Sequence, residues 1–228
     1  MTGQEAAALG AAALAQVKPD TVVGLGTGQA ATAFIHALGK AVKEGLRVTG
    51  VPTSDASADL ARKLGIPLID EPVTLDVAVD GADEVDPLLD LVKGFGGALV
   101  REKLVAAASK RFVVVVDESK LVKQLGVGVL PVEVLAFLWR STAERLAALG
   151  VSLVVRGGEE TPFVTDNGNL ILDLTVEGGI KDPAGFGVEL KKVTGVVEHG
   201  LFVGMTDTVI VAGPEGPKAI GRPPGAGP

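Results

Sequence analysis

Continuous apolar runs alternate with alanine-rich or amphipathic stretches along the first half of the chain. Continuous runs are typical of parallel strands that are covered on both faces. They predict strands over Thr21–Leu25, Arg47–Val51, Ile66–Ile69, Asp76–Val79 and Phe112–Val116. The stretches between them predict helices over Ala6–Val17, Gln29–Leu38, Asp55–Leu64 and Gly97–Ser109. Strands and helices in this alternation indicate an α/β fold, with a Rossmann-like and mostly parallel sheet.

The pattern changes near Gly126. We expect two helices, at roughly Val132–Leu149 and Phe186–Val193. The antiparallel strands among them are expected at Val151–Val155, at Asn169–Leu174, and at Val196–Val197 with Leu201–Val203 as one further strand. This order indicates a smaller α+β domain, ferredoxin-like in type. Thr208–Ala212 is apolar again and is expected to return to the first sheet. The predicted organisation is a main domain over 1–127 plus 205–220, a small domain over 128–204, and a disordered tail over 221–228.

Composition excludes several classes of function. The net charge is -7 and only 4% of the residues are aromatic, which argues against nucleic acid as a partner. The chain has no cysteine and only 2 histidines, so we expect no metal site and no thiol chemistry. The sequence has no apolar run of membrane-spanning length and no basic secretion signal, so we expect no membrane partner and a cytoplasmic protein.

The turn Gly26-Thr27-Gly28 joins a predicted strand to a predicted helix. Glycines allow backbone amides to approach an anion, and the helix that follows adds free N–H groups and the positive end of its dipole. A phosphate cradle is therefore a candidate, and a plain tight turn is the alternative. A second turn at Ser54 also follows a strand, where it is either part of the site or only a helix cap.

A dinucleotide-binding turn would need a third glycine where Gln29 or Ala31 stands. It would also need an acidic residue at the end of the second strand, where Val51 to Ser54 stand instead. A nicotinamide-dependent oxidoreductase is therefore disfavoured.

Acidic and basic residues follow the third strand. Asp80 and Asp83 are three positions apart at a predicted strand end, where they can converge on a polyol. The alternatives are a solvated acidic loop or a cation site, although the spacing of the acidic residues fits a calcium loop poorly. Lys93 precedes a glycine-rich loop that can bring a charge close to a small ligand. Glu102 lies in the next helix, where an ordinary surface glutamate is the simplest interpretation of its local sequence.

Taken together, these segments resemble the type A family of ribose-5-phosphate isomerase, from about residue 3 to about residue 220. The resemblance is carried, in the order of the family, by the segments 24–28, 54–57, 79–84, 93–98, 101–103, 117–120, 130–134, 165–169 and 195–197. It implies a homodimer or a dimer of dimers that interconverts ribose 5-phosphate and ribulose 5-phosphate in the pentose phosphate pathway, without a cofactor or metal.

The resemblance also implies residue roles. Glu102 is the expected base, and Asp80, Asp83 and Lys93 are expected to bind and polarise the sugar. The phosphate is expected at the turn around Thr27 and at Lys120. The expected substrate-binding residues are Gly26, Thr27, Gly28, Gln29, Ala30, Ser54, Gly81, Ala82, Gly94, Phe95, Gly96 and Lys120.

This sequence departs from the family at the phosphate turn. Gln29 and Ala30 stand where Ser and Thr are common, so two hydroxyls are missing while the backbone amides remain. A non-catalytic sugar-phosphate sensor of the same fold is the alternative function. Such a sensor would need a DNA-reading helix-turn-helix, and the N-terminal helix is short and not basic.

Overall fold

The computed structural model describes residues 1–71 and 74–223, which divide into two compact units. The first unit combines Met1–Ala82 and Arg101–Lys120 with the C-terminal segment from Gly204 onward. The second combines Asp83–Val100 with Leu121–Val203. The compact units thus group 83–100 and 121–127 with the smaller unit, whereas the sequence analysis placed them in the main domain. The domain boundaries themselves stay a prediction.

The first unit is built on a six-stranded sheet with the order β13-β12-β6-β3-β1-β2. Its strands are β1 (Thr21–Leu25), β2 (Val48–Pro52), β3 (Val77–Asp80), β6 (Phe112–Asp117), β12 (Thr208–Ala212) and β13 (Lys218–Gly221). All neighbours pair in parallel except β12 and β13, which are antiparallel. The carboxyl ends of β1, β2, β3 and β6 therefore share one edge of the sheet.

Four helices accompany this sheet. They are α1 (Gly3–Leu14), α2 (Gln29–Lys43), α3 (Asp55–Leu64) and α4 (Leu99–Ala108), which starts in the second unit and runs into the first. Local sequence sets their ends. Thr2 and Glu5 form a capping box on α1, Ser54 caps α3, and Gly65 ends α3 in a left-handed conformation with φ of 79°. One side of the sheet packs against Leu9 and Phe34 in a continuous apolar core.

The second unit contains two small sheets. The four-stranded sheet has the order β10-β7-β9-β8, formed by β7 (Leu130–Val134), β8 (Ser152–Val155), β9 (Leu170–Thr175) and β10 (Val196–His199). Helix α5 (Trp139–Ala147) connects β7 to β8, and α6 (Pro183–Lys192) connects β9 to β10. This β-α-β-β-α-β order is ferredoxin-like, as predicted. The other sheet, with the order β11-β5-β4, consists of β4 (Glu84–Val85), β5 (Leu91–Val92) and β11 (Leu201–Phe202).

The sequence predicted the fold class correctly, and its errors are local. The predicted helix over Val132–Leu149 is wrong in its first part, since β7 occupies Leu130–Val134 and α5 begins only at Trp139. Leu130, Val132 and Val134 alternate into the core, which is the periodicity of a strand.

Two other predicted segments differ from the structure. The expected strand over Ile66–Ile69 is reduced to a single bridge between Gly50 and Leu68. The single strand expected from Val196–Val197 and Leu201–Val203 is two strands, β10 and β11, in different sheets. Gly221, placed in the predicted tail, is the last residue of β13, and 224–228 lie outside the described residues.

In the described part of the chain, no helix combines the length and apolarity that crossing a membrane requires.

Candidate active site

The glycine turn after β1 is fixed by the carboxylate of Asp80, at the end of β3. Asp80 is 2% exposed, and its Oδ1 accepts the Thr27 amide at 3.0 Å and the Gly81 amide at 2.7 Å. A β-carbon on Gly26 would lie 2.2 Å from that oxygen, so only glycine allows the approach. The Gly26 amide donates to Val79 O at 2.9 Å. The amides of Gly26 and Thr27 are thus used to hold the turn itself.

The amides that remain for an anion begin one residue later. Gly28, with φ of 102°, precedes the first helical residue, Gln29. The first N–H groups of a helix have no carbonyl partner within the helix, and they carry the positive end of its dipole. Gly28, Gln29 and Ala30 therefore present backbone donors at the sheet edge where β1 ends. The missing side-chain hydroxyls at 29 and 30 leave these donors in place.

A cluster of hydroxyls lies beside the turn. Thr27 Oγ1 donates to Ser54 Oγ at 2.8 Å, and it lies 2.7 Å from Thr53 Oγ1. Ser54 also caps α3 by accepting the Ser57 amide at 3.1 Å. Ser54 is thus a helix cap and also a neighbour of the glycine turn, and its part in a binding site stays a prediction. The cluster fixes the orientation of the Thr27 side chain at the ends of β1 and β2.

Glu102 lies in the first turn of α4 and is 3% exposed. The simple interpretation of a surface glutamate is therefore wrong. Helix α4 packs closely on β1, because a β-carbon on Gly24 would lie 2.5 Å from Val105 Cγ1. Arg101 donates to Asp55 at 2.8 Å on the exposed side of the helix. Neighbouring residues of α4 thus point in different directions, with Arg101 on the surface and Glu102 buried.

Lys120 follows the end of β6 in a short 3-10 turn, Glu118–Lys120, and its side chain is half-buried. The Ser119 hydroxyl donates to Asp117, and this hydrogen bond lowers the pKa of the Asp117 carboxyl, with a smaller contribution from the charge of Lys120. Lys120 is therefore an electrostatic neighbour of the same sheet edge that carries the glycine turn.

The second unit contains the other predicted groups. Asp83 is half-buried; its amide donates to Val92 O at 2.9 Å, and its Oδ2 accepts the Phe95 amide at 2.9 Å. Ala82, the last residue of the first unit before Asp83, is half-buried, and Gly96 is exposed. Asp83 thus contacts the glycine loop after β5 directly.

Lys93 is 2% exposed, which is unusual for a lysine. Its amide donates to Gly200 O at 2.8 Å, and its ammonium lies 5.5 Å from the centroid of the Phe202 ring. The position over the ring face offers partial compensation for burying the charge. Gly94 follows with φ of 110°, and a β-carbon there would lie 2.9 Å from Leu99. The loop is therefore tightly packed from its first residue.

Comparisons with known proteins are consistent with this arrangement. The sequence model of ribose 5-phosphate isomerase A (phosphoriboisomerase A) matches residues 49–216. A ribose-5-phosphate isomerase A from Roseiflexus sp. (strain RS-1) is 50% identical over 210 residues, which are 90% of this chain and 90% of that protein. The chain belongs to the ribose-5-phosphate isomerase A family.

Solved structures of this family superimpose on nearly the whole chain. Ribose 5-phosphate isomerase A from Methanocaldococcus jannaschii matches with a TM-score of 0.89 and 39% identity, over 96% of this chain and 98% of that one. A D-ribose-5-phosphate isomerase in complex with phospho-erythronic acid matches with a TM-score of 0.92 and 38% identity, over 97% and 100%. The fold seen here is therefore the fold of the isomerase A family.

Within the first unit, the predicted residues Gly26, Thr27, Ser54, Asp80 and Gly81 are brought together by hydrogen bonds or close packing. Within the second unit, Asp83 and Phe95 are in direct contact. The catalytic and binding roles of all the predicted residues stay predictions.

Some residues that contact the predicted ones were not predicted as part of the site, among them Thr53, Phe202 and Arg156. Thr53 is fully buried beside Thr27. Phe202 underlies Lys93, and Arg156 donates to the carbonyls of the glycine loop. Thr53 stands next to Ser54 at a strand end, a position that could have singled it out. Phe202 and Arg156 are remote in sequence from the loop, and no local pattern indicates their contacts.

Proposed function

We propose that this protein interconverts D-ribose 5-phosphate and D-ribulose 5-phosphate through an enediolate, with Glu102 as the base. The observation that carries the proposal is the burial of the Glu102 side chain, 3% exposed, in a member of the isomerase A family. A carboxylate removed from water is a stronger base than an exposed one, which suits abstraction of a proton from carbon.

The first step of the reaction is ring opening, since the aldose in water is largely cyclic. The bond between C1 and the ring oxygen breaks as the C1 hydroxyl proton passes to Asp83 and a solvent proton reaches the ring oxygen. Asp83 is suited to this because it is half-buried and held by the Phe95 amide. The product of this step is the open-chain aldehyde.

The second step is proton transfer. Glu102 takes the proton from C2, the electron pair moves to the C1 oxygen, and the same carboxyl returns the proton to C1 as the O2 proton moves to O1. The buried Lys93 ammonium offsets the charge that develops on oxygen. No redox partner is required, because the oxidation at C2 balances the reduction at C1.

Phosphate binding is proposed at the first turn of α2 and at Lys120. The amides of Gly28, Gln29 and Ala30 supply donors, and Thr27 with Ser54 shapes the turn. Asp80 keeps the turn in place and orients sugar hydroxyls. Binding energy from the phosphate, remote from C1 and C2, positions the reacting carbons.

The ligand of one solved relative supports this chemistry. Phospho-erythronic acid, bound in that structure, is a phosphorylated sugar acid whose planar carboxylate resembles an enediolate. A protein that uses the proposed roles would bind such an acid more tightly than the substrate. A non-catalytic sugar-phosphate sensor of this fold has no observation in its favour here.

The direct test is to incubate metal-stripped protein with ribose 5-phosphate and to measure the ketose. In D₂O, deuterium should also enter C1 of ribulose 5-phosphate, to the extent that the proton on the Glu102 carboxyl exchanges with solvent before it is returned to C1. Formation of the ketose at a rate far above the uncatalysed one is the expected result. A folded protein that binds ribose 5-phosphate without converting it would contradict the proposal and favour the sensor.

We also propose self-association and a cytoplasmic location. The second unit exposes several large apolar side chains, which are Val127, Phe137, Leu138, Val154 and Val164 at 58–81% exposure. Exposed apolar side chains of this size can pack in an interface between subunits, and a second copy of the chain is the partner that the family implies. Light scattering on wild type and on the F137D/L138D variant tests this, with a lower mass expected for the variant.

A charged sugar phosphate does not cross a membrane unaided, which favours a cytoplasmic enzyme.

A further inference from the structure

The glycine loop after β5 has little conformational preference of its own. Three of the four residues 94–97 are glycine, and Gly94 and Gly97 have positive φ angles of 110° and 82°. The remaining residue, Phe95, is 48% exposed, so burial of its side chain does not fix the loop. Apart from the close packing at Gly94 and Gly97, the loop conformation therefore depends on hydrogen bonds to its backbone.

One peptide group of this loop is held from both ends. Its carbonyl, Gly94 O, accepts Arg156 Nη1 at 2.8 Å, and its N–H, on Phe95, donates to Asp83 Oδ2 at 2.9 Å. Arg156 Nη1 also lies 3.1 Å from Phe95 O, the carbonyl of the next peptide. Because a peptide group is planar, fixing the direction of its carbonyl fixes the direction of its N–H. Arg156 therefore sets the hydrogen bond that orients Asp83.

Arg156 is itself held by Asp173. Its Nε donates to Asp173 Oδ2 at 2.9 Å and its Nη2 donates to Oδ1, so the pair is bidentate. The two side chains are only 17% and 14% exposed, in contrast with the surface ion pairs of the chain. A guanidinium can bind a carboxylate and two carbonyls at once in a fixed plane, whereas a lysine ammonium cannot reproduce this geometry.

We propose that Arg156 is a positioning residue for the isomerase reaction, acting through the Gly94–Phe95 peptide on Asp83. This inference rests on the proposed function, which assigns ring opening to Asp83. The adjacent Lys93 has a separate backbone anchor on Gly200 O, at 2.8 Å. Loss of Arg156 therefore disturbs the ring-opening residue more than the residue that stabilises the enediolate.

The test uses two reactions that differ in their need for ring opening. Isomerisation of ribose 5-phosphate starts from a cyclic sugar. Wash-in of deuterium at C1 of ribulose 5-phosphate in D₂O starts from an open chain and needs only proton transfer. R156M should lower kcat for isomerisation by about tenfold or more with KM within about twofold, while wash-in falls clearly less. R156K should recover only part of the loss, and D173N should fall between wild type and R156M.

Two comparisons complete the design. R140M removes an exposed ion pair with Glu159 in the same unit, whose side chains are 65% and 68% exposed, and should leave both reactions within about twofold of wild type. E102Q should abolish both reactions together. If R156M does not fold, R156K and D173N take its place. Their loss of isomerisation is then compared with their loss of deuterium wash-in.

Equal losses in both reactions, or no loss in a folded variant, would overturn the positioning role. An inactive wild type would instead refute the proposed function and this inference with it. An active wild type with an unaffected R156M would refute the inference alone.

Discussion

Gly24 of β1 and Val105 of α4 are in such close contact that a β-carbon on Gly24 would lie 2.5 Å from Val105 Cγ1. The same β-carbon would lie 2.8 Å from Ala78 on β3. The absent side chain at position 24 thus sets how closely the helix carrying Glu102 approaches the sheet.

This contact predicts that G24A both destabilises the protein and slows turnover. Overpacking of this kind typically costs about 1–3 kcal/mol, and displacement of α4 should lower kcat more than it raises KM. G24A/V105A should recover part of the stability, because the clashing methyl group is removed. Thermal unfolding and steady-state kinetics measure both effects. If G24A has wild-type stability and rate, the close contact does not position α4.

Replacement of the proposed base is expected to separate binding from chemistry. E102Q keeps the shape of the side chain but removes its basicity, so kcat should fall by about 10²–10⁴-fold while KM changes little. E44Q, at an exposed glutamate that ends α2, is the matched control and should retain wild-type kinetics. Near-normal turnover in E102Q would exclude Glu102 as the base.

The role proposed for Lys120 is binding rather than chemistry. K120A should raise KM by about tenfold, equivalent to about 1.4 kcal/mol, with kcat within a few fold. The effect should shrink as salt is raised, since the attraction of Lys120 for phosphate is partly screened. K40A, at an exposed lysine of α2, should change neither constant. A fall in kcat alone would contradict the phosphate role.

Asp76 provides a prediction for stability against pH. The Lys110 ammonium and the Val22 amide both donate to its carboxylate, and they lower the pKa of Asp76 in the folded state. A carboxyl whose folded pKa lies below its unfolded pKa stabilises the protein above the unfolded value, and this contribution is lost as pH falls through the folded value. The loss is expected below about pH 4.

D76N should therefore lower stability at neutral pH and reduce the steepness of acid unfolding. The change in the free energy of unfolding should not exceed about 1 kcal/mol. The Asp76 side chain is 35% exposed, so solvent screens its ion pair with Lys110. Denaturant unfolding at several pH values measures it. D59N, in an exposed pair with Arg62, is the control. An unchanged pH dependence in D76N would exclude Asp76 as a source of acid sensitivity.

Elements with strong local signals were predictable from sequence. The strands Thr21–Leu25 and Thr208–Ala212 and the helix Asp55–Leu64 have the predicted bounds, because β-branched runs and caps at Ser54 and Gly65 define them. The segment Val132–Val134 was predicted as the start of a helix that follows Leu130-Pro131. Its pairing with β9 and β10, both distant in sequence, decides that it is a strand.

The candidate site was predictable where its residues cluster in sequence at strand ends. The burial of Glu102 was not, because packing against β1, rather than the charged neighbours Arg101 and Lys103, determines which face of α4 is covered. The Arg156–Asp173 ion pair could not be predicted from the sequence either. It joins Arg156, just after β8, to Asp173 in β9, 17 positions later, and Arg156 also donates to the Gly94 carbonyl, 62 positions away.

The hydrogen bond between the Thr27 amide and Asp80 has a consequence for how glycine-rich turns are interpreted. In a dinucleotide-binding protein, the amides of such a turn are directed at a pyrophosphate supplied from outside. Here an internal carboxylate accepts the Thr27 amide, so the donors left for a ligand begin at Gly28. A pyrophosphate at this position would meet the negative charge of Asp80. One aspartate at the neighbouring strand end thus takes a backbone donor that a dinucleotide-binding turn would direct at its ligand.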